Sequence, residues 1–165
     1  MSVSSQEERP AARGNRARPQ LSLKGRALRY LSQREHSRLE LERKLREHEQ
    51  TPGELARVLD ELQARGFISQ ERVAESVVNR RASRLGTARI RQELIARGLD
   101  AQTVADTVQS LRGTEAQRAR EVWRKRFGGP APDAAGRAKQ MRFLAARGFA
   151  PEVIRRVVTG GDDET

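Results

Sequence analysis

The stretch Leu62-Gln-Ala-Arg-Gly66-Phe67 has two close relatives in the same chain, Leu94-Ile-Ala-Arg-Gly98-Leu99 and Leu144-Ala-Ala-Arg-Gly148-Phe149. Each is typical of a helix C-terminus at which Gly takes a left-handed conformation, because a Cβ there costs about 1–2 kcal/mol. The apolar residue after each Gly is expected to fold back onto the Leu five positions earlier. Three copies of one stretch indicate an internal repeat.

The repeat extends well beyond these stretches. When Leu45, Leu94 and Leu144 are aligned, the apolar pattern matches upstream and downstream without a gap. The apolar residues that coincide are Leu28, Val77 and Phe127 upstream, and Leu55, Val104 and Ile154 downstream. No stretch shows convincing strand alternation. We therefore predict an all-α fold, an elongated, curved array of three tandem three-helix repeats.

The predicted boundaries follow the repeat. The three-helix repeats are expected at residues 21–66, 67–112 and 113–160. Residues 1–20 are polar and lack apolar periodicity, which predicts a disordered basic tail. Residues 161–165 are expected to form an acidic frayed end.

Capping patterns predict where individual helices begin. Ser37 with Glu40 has the spacing of a capping box, and Thr51 followed by Pro52 predicts a cap and a first-turn proline. A further helix is expected over 70–84.

Composition excludes several classes of protein. The chain has no Cys, so disulfides, thiolate zinc sites and thiol nucleophiles are excluded. It has two His, both flanked by charged residues, and no nucleotide-binding, serine-hydrolase or zinc-protease motif. We predict that it is not an enzyme and needs neither a metal nor a cofactor. Without an apolar export signal or a bilayer-length apolar run, a cytoplasmic protein with no membrane association is expected.

The net charge of +11 is unevenly placed. Residues 113–160 carry 11 basic and 4 acidic side chains, whereas residues 21–66 carry 10 and 8. Such a field favours polyanions such as nucleic acid. Arginine-rich composition also arises without any binding role, so clustering must support the inference.

Basic clusters supply the candidate binding residues. If the repeats pack side by side, the clusters form a continuous cationic strip. Few aromatic side chains interleave with them, which favours sequence-independent contact with the phosphate backbone over base stacking. The predicted site consists of Arg80, Arg81, Arg84, Arg89, Arg91, Arg120, Arg124, Lys125, Arg126, Arg137, Lys139 and Arg142.

Three segments of the chain resemble the RecX family of bacterial regulatory proteins. The stretch from Ala27 to Leu41, with Lys44-Leu45, resembles the first-repeat signature of that family. The stretch Gly66-Phe-Ile-Ser-Gln-Glu-Arg-Val-Ala74 resembles its junction into the second repeat, and Ile90-Arg-Gln-Glu-Leu94 with Gly98 its second helix. The resemblance covers essentially residues 21–159.

The resemblance implies a modulator of the RecA recombinase. Such a protein binds the RecA filament, depresses ATP hydrolysis and strand exchange, and limits filament growth in recombination, DNA repair and the SOS response. The implied partners are the RecA filament and single- and double-stranded DNA without sequence preference. A monomer is expected.

Two other functions are compatible with the residues. A plain DNA-binding helical protein would use the same charge without RecA. A helical-repeat adaptor would use its concave face without nucleic acid.

Overall fold

The structure, a computed structural model, describes residues 18–161. These residues form nine α-helices, a short 3₁₀ turn at Arg46–His48, and no strand. The first unit contains α1 (Leu23–Gln33), α2 (Arg38–Leu45) and α3 (Glu54–Ala64). The second contains α4 (Gln70–Arg81), α5 (Thr87–Ala96) and α6 (Ala101–Arg112), and the third α7 (Glu115–Phe127), α8 (Ala134–Ala146) and α9 (Pro151–Thr159). The predicted all-α array of tandem three-helix units is confirmed. The predicted disordered tail and acidic end fall almost entirely outside the described residues.

Each unit has a core of its own. The three leucines that define the repeat register, Leu45, Leu94 and Leu144, are completely buried, one in each core. The third core also holds Trp123 and Phe149, whereas the first two are aliphatic apart from the partly buried Tyr30. The repeat pattern in the sequence is therefore the pattern of core positions.

The helix starts agree with the sequence at one predicted cap and differ at another. The capping box is present: Ser37 Oγ accepts from the N–H of Glu40 at 3.2 Å, and Glu40 Oε2 accepts from the N–H of Ser37 at 2.8 Å. The prediction that Thr51 and Pro52 start the third helix is wrong. Gly53, at φ +85°, turns the chain between them and the helix, which begins at Glu54.

The three glycine stops are confirmed. Gly66, Gly98 and Gly148 have φ of +79°, +78° and +88°. In each, the N–H after Gly donates to the carbonyl of the Leu five positions earlier, at 2.9, 3.3 and 3.3 Å. This hydrogen bond, from the N–H of the sixth residue to the carbonyl of the first, is characteristic of the Schellman motif.

The expected fold-back of the next side chain is wrong in the first copy. Leu99 and Phe149 are buried, but Phe67 is 46% exposed and Ile68 is buried in its place. The first copy ends the third helix of its unit, whereas the others end the second helix. The chain after Gly66 leads into the next unit, and it turns inward one residue later.

The second helices of the three units meet end to end. At the joint between the second and third units, the N–H of Gly86 donates to the carbonyl of Arg147 at 2.8 Å, and that of Ala88 to the carbonyl of Gly148 at 3.2 Å. The C-terminus of α8 thus satisfies free N–H groups at the N-terminus of α5.

A similar joint connects the first and second units. The Ser37 hydroxyl, at the N-terminus of α2, donates to the carbonyl of Arg97 at the end of α5, 2.5 Å away. A Cβ on Gly98 would lie 2.7 Å from Leu39 Cδ2 of the first unit. Gly98 therefore serves the helix stop and the joint together.

Comparing two glycines separates these contributions. Gly66→Ala should cost about 1–2 kcal/mol of unfolding free energy, because it meets only left-handed backbone strain and nothing lies within 4 Å of its Cβ. Gly98→Ala should cost about 1–3 kcal/mol more, since it also overpacks the joint. Urea unfolding measures both, and equal losses would show that the Leu39 contact does not hold the joint.

Candidate nucleic-acid and partner interface

A concavity opens where the second unit meets the third. Its volume is about 530 Å³, and it lies between the end of α4, the outer face of α5 and the residue that follows α8. Four arginines line it, with one carboxylate: Arg81, Arg84, Arg89, Arg147 and Glu93. Three of these arginines were predicted from sequence. The structure brings them together with a fourth that was not.

Arg147 connects this concavity to a smaller neighbour. The neighbour has a volume of about 300 Å³ and includes Lys125 and Arg126 from α7, with Phe143 from α8. The guanidinium of Arg147 lies 4.7 Å from the centre of the Phe143 ring, and that of Arg126 lies 5.7 Å from it. We call the combined surface the cationic groove, lined by Arg81, Arg84, Arg89, Lys125, Arg126 and Arg147.

The joint fixes two of these side chains in place. Arg147 is the last residue before the Gly148 stop, so its backbone carbonyl holds Gly86 while its side chain faces the groove. Arg89 Nη1 donates to the carbonyl of Ala146 at 3.3 Å. The groove therefore exists only while the two units are docked.

Ion pairing reduces the free charge at one wall. Arg81 Nε lies 3.1 Å from Glu93 Oε2, and Arg97 Nη2 lies 3.1 Å from the other oxygen of Glu93. Arg97 Nη1 also lies 2.8 Å from Glu40 Oε1 in the first unit, which Arg34 approaches at 3.2 Å. This network ties the first unit to the second and partly neutralises Arg81.

Two ionisable groups at this joint have shifted pKa values. Burial raises the pKa of Glu40, but the Ser37 N–H, a hydrogen bond from Arg34 and the charges of Arg97 and Arg34 outweigh it, so the net pKa is lowered. Burial lowers the pKa of His36, whose Nδ1 lies 3.0 Å from the carbonyl of Arg34. The lowered pKa keeps Glu40 ionised near neutral pH, the form that pairs with Arg97 across the joint, and the lowered pKa of His36 favours its neutral form.

The remaining predicted cations lie outside the cationic groove. Arg91 lies on another face of α5, where it lines a separate concavity together with Arg112 of α6. Arg80 donates to the carbonyl of Ser76 on its own helix. Arg84 does line the groove, but from the turn after α4, because that helix ends at Arg81 and not at the predicted residue 84. Neither concavity of the groove is lined by Arg120, Arg124, Arg137, Lys139 or Arg142.

Arg118 is a buried cation that sequence reasoning did not single out. Its guanidinium donates to the carbonyls of Ala82, Leu85 and Leu111 at 3.1, 2.7 and 3.3 Å, and to Thr87 Oγ1 at 3.2 Å. These bonds fasten α7 to the helix ends of the second unit. Its partners are mostly carbonyls, which have no sequence signature. Arg118 is therefore a structural residue.

Arg147 was missed for a different reason. It belongs to an Ala-Arg-Gly stretch whose pattern indicates a helix stop and does not indicate a binding side chain. Gly148 joins two units only in the folded structure, so no local pattern in the sequence marks Arg147 as a groove residue.

The described part of the chain contains neither a metal-ion cluster nor a membrane-spanning helix. Among residues 18–161, no three His, Asp or Glu side chains are arranged to hold a metal ion. No helix in this range is both long enough and apolar enough to cross a bilayer.

Comparison with known proteins gives a consistent result. Family models match the chain in three places: the first three-helix domain of RecX at residues 24–62, the second at 69–108 and the third at 114–158. The Regulatory protein RecX of Leptothrix cholodnii is 57% identical over 147 residues, which cover 89% of this chain and 94% of the relative. That of Ralstonia pickettii is 49% identical over 146 residues, with 88% and 92% covered.

A solved structure agrees at the level of the fold. The crystal structure of RecX from Lactobacillus salivarius superposes with a TM-score of 0.72 at 21% sequence identity. The match covers 85% of this chain and 94% of that one.

The cationic groove predicts how bare DNA binds. Affinity for an oligothymidylate should fall steeply with salt, because each phosphate contact contributes about 0.7 to the slope of log affinity against log salt concentration. Arg147→Glu should weaken binding and reduce that slope by about 0.7, the contribution of one phosphate contact. Fluorescence anisotropy over a salt series measures both. Arg57→Glu, at an exposed position of the first unit, is the control, and an equal effect of the two substitutions would contradict the groove assignment.

Proposed function

Because the chain belongs to the RecX family of regulatory proteins, we propose that it binds the RecA–DNA filament and modulates RecA, mainly by inhibition. It lowers ATP hydrolysis, strand exchange and filament extension, and so acts in recombination, DNA repair and the SOS response. It is not an enzyme, and it acts as a monomer in the cytoplasm. The family supplies the regulatory role, and the chain's own residues supply the contact surface.

The observation that carries the proposal is the cationic groove at the joint between the second and third units. Six cations face it, against the carboxylates of Glu93 and Glu121. Its one aromatic side chain, Phe143, is half-buried beneath Arg126 and Arg147, so base stacking contributes little. Such a surface suits the phosphates and carboxylates of a nucleoprotein filament, without a preference for base sequence.

The arrangement in repeats supports contact with an assembled filament. A tandem array offers its surface along several units, so one molecule touches neighbouring protomers and the DNA between them. A regulator of this kind acts at amounts well below those needed to coat the DNA. A protein that only competes for the strand needs near-saturating amounts.

ATP hydrolysis by preformed RecA filaments tests the proposal. The wild type should suppress hydrolysis well below the amount that coats the DNA. The double substitution Lys125→Glu with Arg147→Glu should weaken this suppression, because it reverses two cations that face the groove. Reversal of the exposed Lys125 should cost less than about 0.5 kcal/mol. Arg147 is half-buried against Phe143, so circular dichroism and urea unfolding verify that the double variant keeps its helicity and stability.

The matched control is Arg43→Glu with Arg57→Glu. It makes the same change of charge at exposed positions of the first unit. Equal suppression by both double variants would remove the groove from the interface. Suppression only at saturating protein would favour plain DNA binding, and no suppression by the wild type would contradict the proposed function.

A further inference from the structure

A second groove lies between α5 and α6, on a face of the second unit away from the cationic groove. Its volume is about 650 Å³. The α6 helix contributes residues spaced three and four apart along three turns, so one whole helix face lines the groove. These residues are Ala101, Val104, Ala105, Val108, Gln109 and Arg112. From α5 come Arg91 and Ile95, and Leu99 closes the end at the turn.

Ile95 gives this groove an exposed apolar side chain. It is 48% exposed, whereas Leu99, Val104 and Val108 beside it are buried. A single exposed aliphatic side chain is ordinary. Here it lies at the rim of a formed groove. The α6 residues opposite it near the turn, Ala101 and Ala105, are small and exposed.

The opposite end of the groove is cationic. Arg91 lies about 6 Å along α5 from Ile95, and Arg112 about 16 Å along α6 from Ala101, at 1.5 Å per residue. Both arginines are exposed, and neither takes part in an ion pair within residues 18–161. No acidic side chain lines the groove. The groove is therefore apolar beside the turn and positive away from it.

We infer that this groove docks an acidic amphipathic helix of a partner protein. Apolar side chains three and four apart on that helix cover Ile95 and Ala105, and carboxylates further along it pair with Arg91 and Arg112. This is the helix-in-groove mode of recognition, with charge complementarity fixing the direction of the bound helix.

The lining favours this occupant over two others. Bases stack on aromatic rings, and this groove is aliphatic, so single-stranded nucleic acid lacks its usual platform. A second copy of the chain offers the acidic run Asp162-Asp163-Glu164, which has no apolar anchor beside it. Because Arg89 and Arg91 lie on different faces of α5, the two grooves can be occupied together. The inference is therefore independent of the proposed function.

A synthetic peptide tests the inference with the full-length protein. The probe is a fluorescein-labelled helical peptide of about 18 residues, roughly 27 Å long, with Leu along one face and Glu beside it. It should bind, and Ile95→Ser should weaken it about tenfold, equivalent to about 1.4 kcal/mol. Leu21→Ser is the matched control, since Leu21 is 47% exposed outside the groove, and it should leave the affinity unchanged.

Charge is tested in the same way. Arg91→Glu with Arg112→Glu should weaken binding more than Arg43→Glu with Arg57→Glu, which makes the same change of charge elsewhere. Lys125→Glu with Arg147→Glu should behave like that control, so failure here is distinguishable from failure of the cationic groove. Circular dichroism verifies the fold of every variant.

Three results would overturn the inference. The first is no binding of the peptide up to millimolar protein. The second is an Ile95→Ser variant whose affinity for the peptide equals that of the wild type or of Leu21→Ser. The third is an oligothymidylate whose affinity falls on Ile95→Ser, which would make this groove a nucleic-acid site.

Discussion

Hydrogen bonds between the ends of successive second helices hold the units of this protein in register, from backbone N–H groups at the joint of the second and third units and from the Ser37 hydroxyl at the joint of the first and second. The N–H groups of Gly86 and Ala88 donate to the carbonyls of Arg147 and Gly148 in the next unit. Such bonds need the two backbones to approach closely, and a Cβ on Gly86 would overlap the backbone of Gly148. The glycine that ends the second helix of one unit thus becomes the docking site for the second helix of the preceding unit. Three small cores gain a fixed mutual orientation in this way, although none of them is large.

The candidate interface is a consequence of this docking. Arg147 faces the cationic groove because its own carbonyl is held by Gly86, and Arg89 crosses the same joint to the carbonyl of Ala146. The buried guanidinium of Arg118 also connects the two units, because it donates hydrogen bonds to the carbonyls of Ala82 and Leu85. Structural and surface arginines therefore lie within one joint. Charge reversal at the surface and disruption of the joint are expected to have distinct effects, the first on binding and the second on both binding and cooperativity.

Local features could be predicted from the sequence, and features of the joints could not. The leucine register, the glycine stops and the Ser37 capping box depend on residues a few positions apart, and all three are confirmed. Phe67 and Thr51 were wrongly predicted because each depends on what the following residues do: Ile68 takes the buried position, and Gly53 delays the helix. The grouping of the cations depends on how one unit is rotated against the next. Arg89 and Arg91 diverge because residues two apart lie on different faces of one helix, whereas the rotation between units brings Arg147 into one concavity with Arg84.

The central claim is that the glycine joint couples the third unit to the second, and urea unfolding of Gly86→Ala tests it most directly. Gly86 has φ of −75°, so alanine adds no backbone strain there, only the overlap with Gly148. Gly113→Ala is the control, since its φ is −64° and its Cβ would meet only the Ser110 carbonyl, at 3.6 Å. Trp123, the one tryptophan of the chain, lies in the third core and reports on that unit, while far-ultraviolet circular dichroism follows all the helices. Because the joint couples the units, the two transitions should coincide in the wild type and in Gly113→Ala, whereas in Gly86→Ala the Trp123 transition should separate from the loss of helicity. Coincident transitions in Gly86→Ala, at the wild-type midpoint, would contradict it.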